Sequence, residues 1–251
     1  MSAVAAERRS WRGLLLPAVL AFAVLTALGT WQLKRKAWKE GLIATLTTRL
    51  TAPPLALPPP ASWLTLDRAS NEYRHVAFNA HFETGQDALV YATASAFRAD
   101  VEASGLGYWV LAPARLADGS LVVVNRGYVP KDLVMSGLSA ADQISGNVTI
   151  TGVMRWPDER HWFTPADDPA HNLWFSRDPA AMAAAKGWTH ASPFYVEQES
   201  PIPPGGWPQP GKLVVRLRNE HLQYAMTWYG LALALVIMFV SWAIKSSREA
   251  W

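Results

Sequence analysis

The chain has 251 residues and a formal net charge of +3, an excess of basic residues too small to indicate a nucleic-acid partner. It has no cysteine, which excludes disulfides, cysteine-ligated zinc or iron–sulfur sites, a thiol nucleophile and a thiolate copper carrier. Its 13 tryptophans are typical of a protein that meets both apolar and aqueous surroundings, because indole is amphipathic.

The first apolar segment, residues 13–33, carries no charged side chain and is long enough to cross a bilayer as a helix. A cleaved signal peptide is the alternative, but signal cores are shorter, roughly 7–15 residues. Basic residues then follow: Lys34, Arg35, Lys36 and Lys39. They indicate a retained helix, which residues 34–50 are expected to extend. The short preceding segment 1–12 does not resemble a mitochondrial transit peptide, which favours a bacterial protein.

Between the apolar segments, the sequence predicts a β-rich domain. Runs typical of strands are residues 73–82, 88–94, 107–116, 121–130, 147–156 and 193–198, with a last strand at 212–218. The first run alternates apolar residues with His75, Asn79 and His81, so both histidines are expected on a solvated face. Proline-rich stretches at 51–60 and 200–211 are predicted to be linkers or surface loops.

Two local signals sharpen this prediction. Asp118–Gly119 lies between two strand runs and predicts a hairpin turn. Residues 178–187 predict a short helix, with Asp178 as its N-cap and Gly187 at its end. The expected fold is therefore an α+β membrane protein: a two-helix transmembrane hairpin that carries one β-rich domain, an antiparallel barrel or sandwich.

The second apolar segment, residues 222–244, has His221 at its N-terminal edge. On a helix, Tyr224, Ala225 and Trp228 share the face of this histidine. Small residues at Ala225 and Ala232 allow a partner helix or a flat ligand to approach closely. Neutral imidazole is the form that binds iron.

An antiparallel pair of spans places Trp31, Gln32 and Arg35 at the membrane depth of His221 and Tyr224. A histidine, aromatic walls and basic residues at a bilayer surface suit an amphipathic macrocycle whose carboxylates point outward. An interfacial anchor of one polar residue within an aromatic belt explains the same residues. Both interpretations stay open on the residues alone.

Both chain ends, 1–12 and 245–251, lie on the same side of the membrane in this topology. The basic residues do not decide which side, because a long loop is translocated regardless of its charge.

The remaining titratable residues fit no catalytic or metal-binding motif. The segment 161–174 contains His161, Asp167, Asp168 and His171, but its prolines indicate a structured loop with Asx-type turns. No glycine-rich phosphate loop, nucleophile elbow or zinc-protease helix is present. We therefore do not expect an enzyme.

Three motifs, in order along the chain, resemble the Surfeit-locus family of cytochrome c oxidase assembly proteins. The first motif is matched by Gly29, Trp31, Gln32 and Arg35. The second is matched by Asn125, Arg126, Gly127, Tyr128 and Pro130, although Tyr128 replaces the commoner tryptophan. The third is matched by Arg218, Asn219, His221, Tyr224, Ala225, Thr227 and Trp228. The segment 163–178 resembles a fourth stretch of the family.

The resemblance implies a multi-pass protein of the bacterial inner membrane, with residues 34–221 in the periplasm. It implies a role in the maturation of haem–copper oxidases, with subunit I and haem a synthase as partners and membrane lipid around the spans. His221 occupies the position of the family's proposed axial ligand to haem a. Tyr224, Trp228, Trp31 and Gln32 would then lie around the macrocycle, and Arg35 and Arg218 would pair with its propionates.

A cofactor-free scaffold that holds subunit I or haem a synthase is the alternative from another functional class. A copper chaperone is disfavoured, since cysteine is absent and the 6 methionines form no cluster. Under either remaining interpretation, the second motif is expected to form a structural corner in which Arg126 holds a carboxylate.

Overall fold

The computed structural model describes residues 11–93, 105–135, 144–211 and 219–248. The chain divides into two compact units. Met1–Thr45 and Arg216–Trp251 form the first, here called the helical unit, and Leu46–Val215 form the second, the β-unit.

The helices and strands follow one another in this order: α1 (Trp11–Thr51), β1 (Leu55–Ala56), α2 (Arg68–Asn71), β2 (His75–Phe82), β3 (Ala88–Thr93), β4 (Leu106–Arg115), β5 (Leu121–Pro130), α3 (Lys131–Met135), β6 (Asn147–Arg155), β7 (Leu173–Trp174), α4 (Pro179–Lys186), β8 (Ala191–Ser200) and α5 (His221–Arg248). Two 3-10 helices, Pro60–Thr65 and Pro169–His171, lie in the connections.

Helices α1 and α5 are both long and apolar enough to cross a membrane. In the most apolar stretch of each, only 6% is buried, so these helices lack the cover that the core helix of a soluble domain has. Helix α1 continues without interruption past the first apolar segment, which confirms that residues 34–50 extend it. The architecture is of the α+β membrane type.

Five strands of the β-unit close into a barrel in the order β2–β6–β8–β5–β4. Closure occurs where β2 returns to β4, with His81 opposite Arg115 and Phe82 opposite Ala114. All neighbours are antiparallel except β5 and β8, which are parallel. A small five-stranded barrel of this kind resembles the OB fold. Of the two architectures expected, the barrel is the one formed.

Alternation along the strands fills the barrel interior. On β2, Val76, Phe78, Ala80 and Phe82 are buried, as the period-two pattern predicts. A second apolar layer covers the outer face of β5, and it is built around Trp174, Met182 and Trp188. Strand β5 is therefore buried on both faces for almost its whole length.

The predicted hairpin turn and the predicted short helix are both present in the β-unit. The Asp118–Gly119 turn joins β4 to β5 as a hairpin. Helix α4 begins after Asp178, whose carboxylate accepts two backbone N–H groups, and it ends at Gly187 in a left-handed conformation.

The two proline-rich stretches are parts of the β-unit rather than free linkers. Leu55–Ala56, within the first stretch, pairs in parallel with β2. In the second, Gln209 exchanges two backbone hydrogen bonds with Tyr128 of β5. Composition did not reveal this pairing, because it is made by the few residues of each stretch that are not proline and that therefore keep a backbone N–H. The strand predicted at 212–218 lies outside the described residues.

The prediction that His75 is solvated is wrong. Its side chain is only 12% exposed, and it lies between two acceptors. His75 Nδ1 donates to the carbonyl oxygen of Ala52 at 2.8 Å, while Nε2 lies 3.0 Å from a carboxylate oxygen of Glu199. The chain segment after α1 covers this face of β2. His81 is half-exposed as expected.

A network of charged side chains joins the loop after β6 to the barrel. Arg177 donates to both carboxylate oxygens of Asp158, at 2.8 and 3.1 Å, and lies 3.6 Å from Glu197 on β8. Burial alone would lower the pKa of Arg177, but Tyr195, Glu197 and Asp158 raise it above its ordinary value. The cation is thus held in place by carboxylates on two sides.

The same network continues to α2. Arg155 donates to Glu72 at 3.0 Å and lies 3.8 Å from Glu197, and its guanidinium stands over the ring of Tyr73. Arg68 donates to the second oxygen of Glu72 at 2.7 Å. Opposite charges therefore alternate from α2 across β6 and β8 to the loop after β6.

Replacing Arg177 with methionine is expected to destabilise the β-unit by about 3 kcal/mol, because the buried carboxylate of Glu197 and the half-buried carboxylate of Asp158 lose their shared cation. Chemical unfolding of the detergent-solubilised protein, followed by near-ultraviolet circular dichroism, measures this change. The control is Arg115→Met, which removes an exposed pair with Glu83 and should cost less than about 1 kcal/mol. Equal losses in the two variants would show that the network contributes nothing beyond a surface ion pair.

Candidate functional site

One face of α5 is less exposed than the rest of the helix. The least exposed positions recur at alternating spacings of four and three residues: His221, Ala225, Trp228, Ala232, Leu235 and Phe239. This spacing is typical of two helices that pack along a narrow seam. Ala225 and Ala232 are 1% and 3% exposed, so their small side chains accommodate protein rather than leave a gap for a ligand.

A close contact fixes the two helices of the helical unit against each other. Gly29 of α1 lies under the ring of Tyr229, where a Cβ atom would stand 2.9 Å from Cζ. The Tyr229 hydroxyl is held by Thr30 Oγ1 at 3.0 Å. Gly29 is therefore required for this approach, and its place in the first motif has a packing reason.

His221 is bound to the other helix by a hydrogen bond. His221 Nδ1 lies 2.7 Å from Gln32 Oε1. The amide oxygen is an acceptor only, so Nδ1 carries a proton, and in the neutral ring the lone pair is then on Nε2. A hydrogen bond of this kind to the second ring nitrogen fixes the orientation and tautomer of metal-binding histidines. As the antiparallel arrangement predicts, Gln32 and His221 are neighbours.

The aromatic residues predicted around His221 differ in their placement. Trp31 and Tyr224 are 56% and 53% exposed, so both rings have open faces. Trp228 is half-buried on the face that His221 shares. Among the described residues, no hydrogen bond or ring contact joins Trp31 to Tyr224 or Trp228. The rings predicted to surround one ligand are therefore not packed against one another.

Of the two basic residues predicted to bind carboxylates, the structure describes only Arg35. The Arg35 guanidinium lies 4.0 Å from the centre of the Trp38 ring, a stacking partner that the sequence reasoning did not identify. Stacking on an indole leaves the edge of a guanidinium able to bind a carboxylate. Arg218 lies outside the described residues.

The second motif forms a structural corner at the end of β5. Asn125 Oδ1 accepts the backbone N–H of Gly127, and Asn125 Nδ2 donates to Glu197. Gly127 has a φ of +122°, and a Cβ atom there would lie 2.1 Å from the carbonyl oxygen of Gln209. Only glycine fits this position.

Arg126 of the same motif is 4% exposed, with its guanidinium 4.8 Å from the centre of the Phe82 ring. Burial raises the pKa of Asp87, and the positive charges of Arg126 and Lys186 act against this rise. That Arg126 holds a carboxylate stays a prediction, and its burial against the Phe82 ring indicates a role in packing.

The segment after β6 is a structured loop, as its prolines and aspartates predict. Asp168 caps the 3-10 helix Pro169–His171 and accepts from His171 Nδ1 at 2.7 Å. Asp167 accepts from Arg160 and from the backbone N–H of Phe175. In the part of the chain that the structure describes, no three histidine, aspartate or glutamate side chains are grouped to hold a metal ion.

Comparisons with known proteins give one consistent result. The sequence profile described as the SURF1 family matches residues 19–233. A SURF1-like protein of Monosiga brevicollis is 36% identical over 95% of this chain and 91% of its own length. Surfeit locus protein 1 of Mus musculus is 35% identical over 89% of this chain and 72% of its own length. Surfeit locus protein 1 of Homo sapiens is 36% identical over 89% of this chain and 74% of its own length.

Replacing Gly29 with valine is expected to separate α1 from α5, because the branched side chain occupies the volume of the Tyr229 ring. In a chain without native cysteine, cross-linking of the Gln32→Cys, His221→Cys pair measures the separation. The cross-linking yield should fall several-fold in Gly29→Val and recover when Tyr229→Ala is added.

The matched control for this experiment is Gly230→Val, since a Cβ atom at Gly230 meets nothing within 4 Å. Its cross-linking yield should equal that of the unchanged pair. If both valine variants lose cross-linking to the same extent, the Gly29–Tyr229 contact does not hold the helices together.

Proposed function

Because this chain belongs to the SURF1 family, we propose that it is a membrane-anchored assembly factor for haem–copper cytochrome c oxidase, which holds haem a at His221 and aids its insertion into subunit I. Haem a is the cargo of this protein, and the protein makes and breaks no covalent bond of it. Haem a synthase is the proposed source of the cargo. Both partners are identified from the family resemblance.

The observation that carries the proposal is the hydrogen bond from His221 Nδ1 to Gln32. It holds the imidazole as the tautomer whose Nε2 is able to bind iron, at the N-terminal end of an apolar helix. His221 is also the histidine next to the second apolar segment, whereas the other histidines, at positions 75, 81, 161, 171 and 190, belong to the β-unit.

The surrounding residues suit a ligand that must later leave. The exposed rings of Trp31 and Tyr224 offer faces for stacking on a flat macrocycle, and Trp228 would extend that wall. Arg35 would bind propionate carboxylates through the edge of its stacked guanidinium. With His221 as the only protein ligand identified among the described residues, one iron–nitrogen bond would have to break on transfer.

In this proposal the β-unit lies in the periplasm of a bacterium, and both ends of the chain lie in the cytoplasm. The support is the family resemblance together with two spans, which place the chain ends on one side. A translocated domain of this length does not follow the charge rule that governs short loops.

The cofactor-free scaffold is the second candidate, and the same hydrogen bond favours it. A polar side chain in an apolar helix is stabilised by a partner on a neighbouring helix, whether or not a ligand binds. On this hypothesis, the Gln32–His221 pair joins the two spans, and the β-unit contacts subunit I or haem a synthase without any haem.

His221→Ala should lose most of the haem a that copurifies with the protein when haem a synthase is coexpressed, because the ligand is gone. Visible spectra of the purified protein measure haem content and the position of the Soret band. His221→Met retains a softer ligand and should shift the band rather than abolish it. The exposed histidines give the controls: His81→Ala and His171→Ala should match the wild type.

If His221→Ala keeps the wild-type haem content and an unshifted Soret band, His221 is not the ligand. If the wild type carries no haem a even with the synthase present, the scaffold hypothesis replaces the proposal.

The orientation is tested with reporters whose activity depends on the compartment. A reporter that is active only in the periplasm, inserted after Asp118 in the exposed β4–β5 turn, should be active. A reporter that is active only in the cytoplasm, fused after Trp251, should also be active. The opposite pair of results would place the β-unit in the cytoplasm and contradict the proposed orientation.

A further inference from the structure

The loop between β6 and β7 presents two aromatic side chains to solvent. Trp162 is 96% exposed and Phe163 is 66% exposed. Burying large aromatic side chains is strongly favourable in water, and a folded domain rarely leaves an indole ring this open. We call residues His161–Thr164 the aromatic tip. Because these rings are so exposed, we expect another surface to cover them in the functional protein.

The aromatic tip is an ordered turn that holds its rings outward. The backbone N–H of His161 donates to Thr164 Oγ1, and the N–H of Thr164 donates to the His161 carbonyl oxygen, both at 3.0 Å. The Phe163 ring stacks on His161 and stands perpendicular to Trp162, with 5.5 Å between ring centres in each pair. The rings pack on each other and turn away from the barrel.

Most charged side chains at the base of the aromatic tip are held in pairs within the loop. Arg160 donates to Asp167 at 2.7 Å and to Ser176 at 2.8 Å. Further along the loop, Asp168 is paired with His171. Glu159, next to Arg160, is 80% exposed and lies 4.0 Å from Arg68, so this carboxylate is the main charge that the loop offers to a partner. The tip offers aromatic area with one polar indole N–H, the composition of the aromatic belts at membrane surfaces.

We propose that the aromatic tip inserts Trp162 and Phe163 into the headgroup region of the lipid bilayer. The β-unit is joined covalently at both ends to helices that are long and apolar enough to span the membrane. Such a double tether keeps a bilayer at high effective concentration, so two side chains suffice for a stable contact. This inference does not depend on haem a or on His221.

The test uses the full chain with Trp162→Cys, which provides a single thiol because the protein has no cysteine. The thiol is spin-labelled, and the protein is reconstituted in nanodiscs of zwitterionic phosphatidylcholine. Electron paramagnetic resonance then compares relaxation by oxygen, which concentrates in lipid, with relaxation by a water-soluble nickel chelate. The control is Ala117→Cys in the exposed β4–β5 turn, which carries no aromatic residue.

The expected result is an oxygen-to-nickel ratio at position 162 several-fold higher than at position 117. Adding Phe163→Asp, which leaves the backbone hydrogen bonds of the turn in place, should return the ratio at position 162 to the aqueous value. An aqueous ratio at position 162 without that change would overturn the proposal. Shielding from both reagents would also overturn it, because it would assign the aromatic tip to a protein surface.

Discussion

The hydrogen bond between Gln32 and His221 is the interaction on which the helical unit depends. The pair lies at the N-terminal edge of the apolar helix α5, where a polar side chain is stabilised by a hydrogen-bonding partner on the neighbouring helix. This bond selects which turn of α1 faces which turn of α5, next to the Gly29–Tyr229 contact. It also assigns the ring proton to Nδ1, so the same atoms that join the helices determine what His221 is able to bind.

The β-unit is stabilised in a different way. Its barrel is small, and an outer layer that includes Trp174 and Trp188 covers the second face of β5. This layer adds buried apolar area, which stabilises the unit. Between that layer and the barrel, Arg177 and Glu197 bring charge into a mostly apolar environment, where opposite charges must stay paired. The loop after β6 is fixed by this network, and its aromatic residues therefore have a defined position.

Local signals in the sequence predicted most of the elements, whereas long-range contacts were missed. Alternation located β2, and the Asp178 cap located α4, because these signals act over a few residues. Nothing local marks the pairing of Leu55 with β2 or the cover over His75, since both depend on segments that are distant in sequence. For the site, the motifs identified Gln32 and His221, but the roles of Thr30 and Tyr229 become apparent only when two helix faces meet.

The separation of Gln32 and His221 along the chain has a consequence for biogenesis. The two residues are 189 positions apart, and chains are synthesised at roughly 5–20 residues per second. The first span therefore exists for about 10–40 s before its partner helix is made, with the amide of Gln32 satisfied by water or lipid headgroups. For part of that interval the edge of β5 is also without β8, its parallel neighbour in the barrel. The β-unit is completed only after β8 is made and the helical unit only after α5 is made, so any factor that shields the nascent protein must act until α5 is inserted.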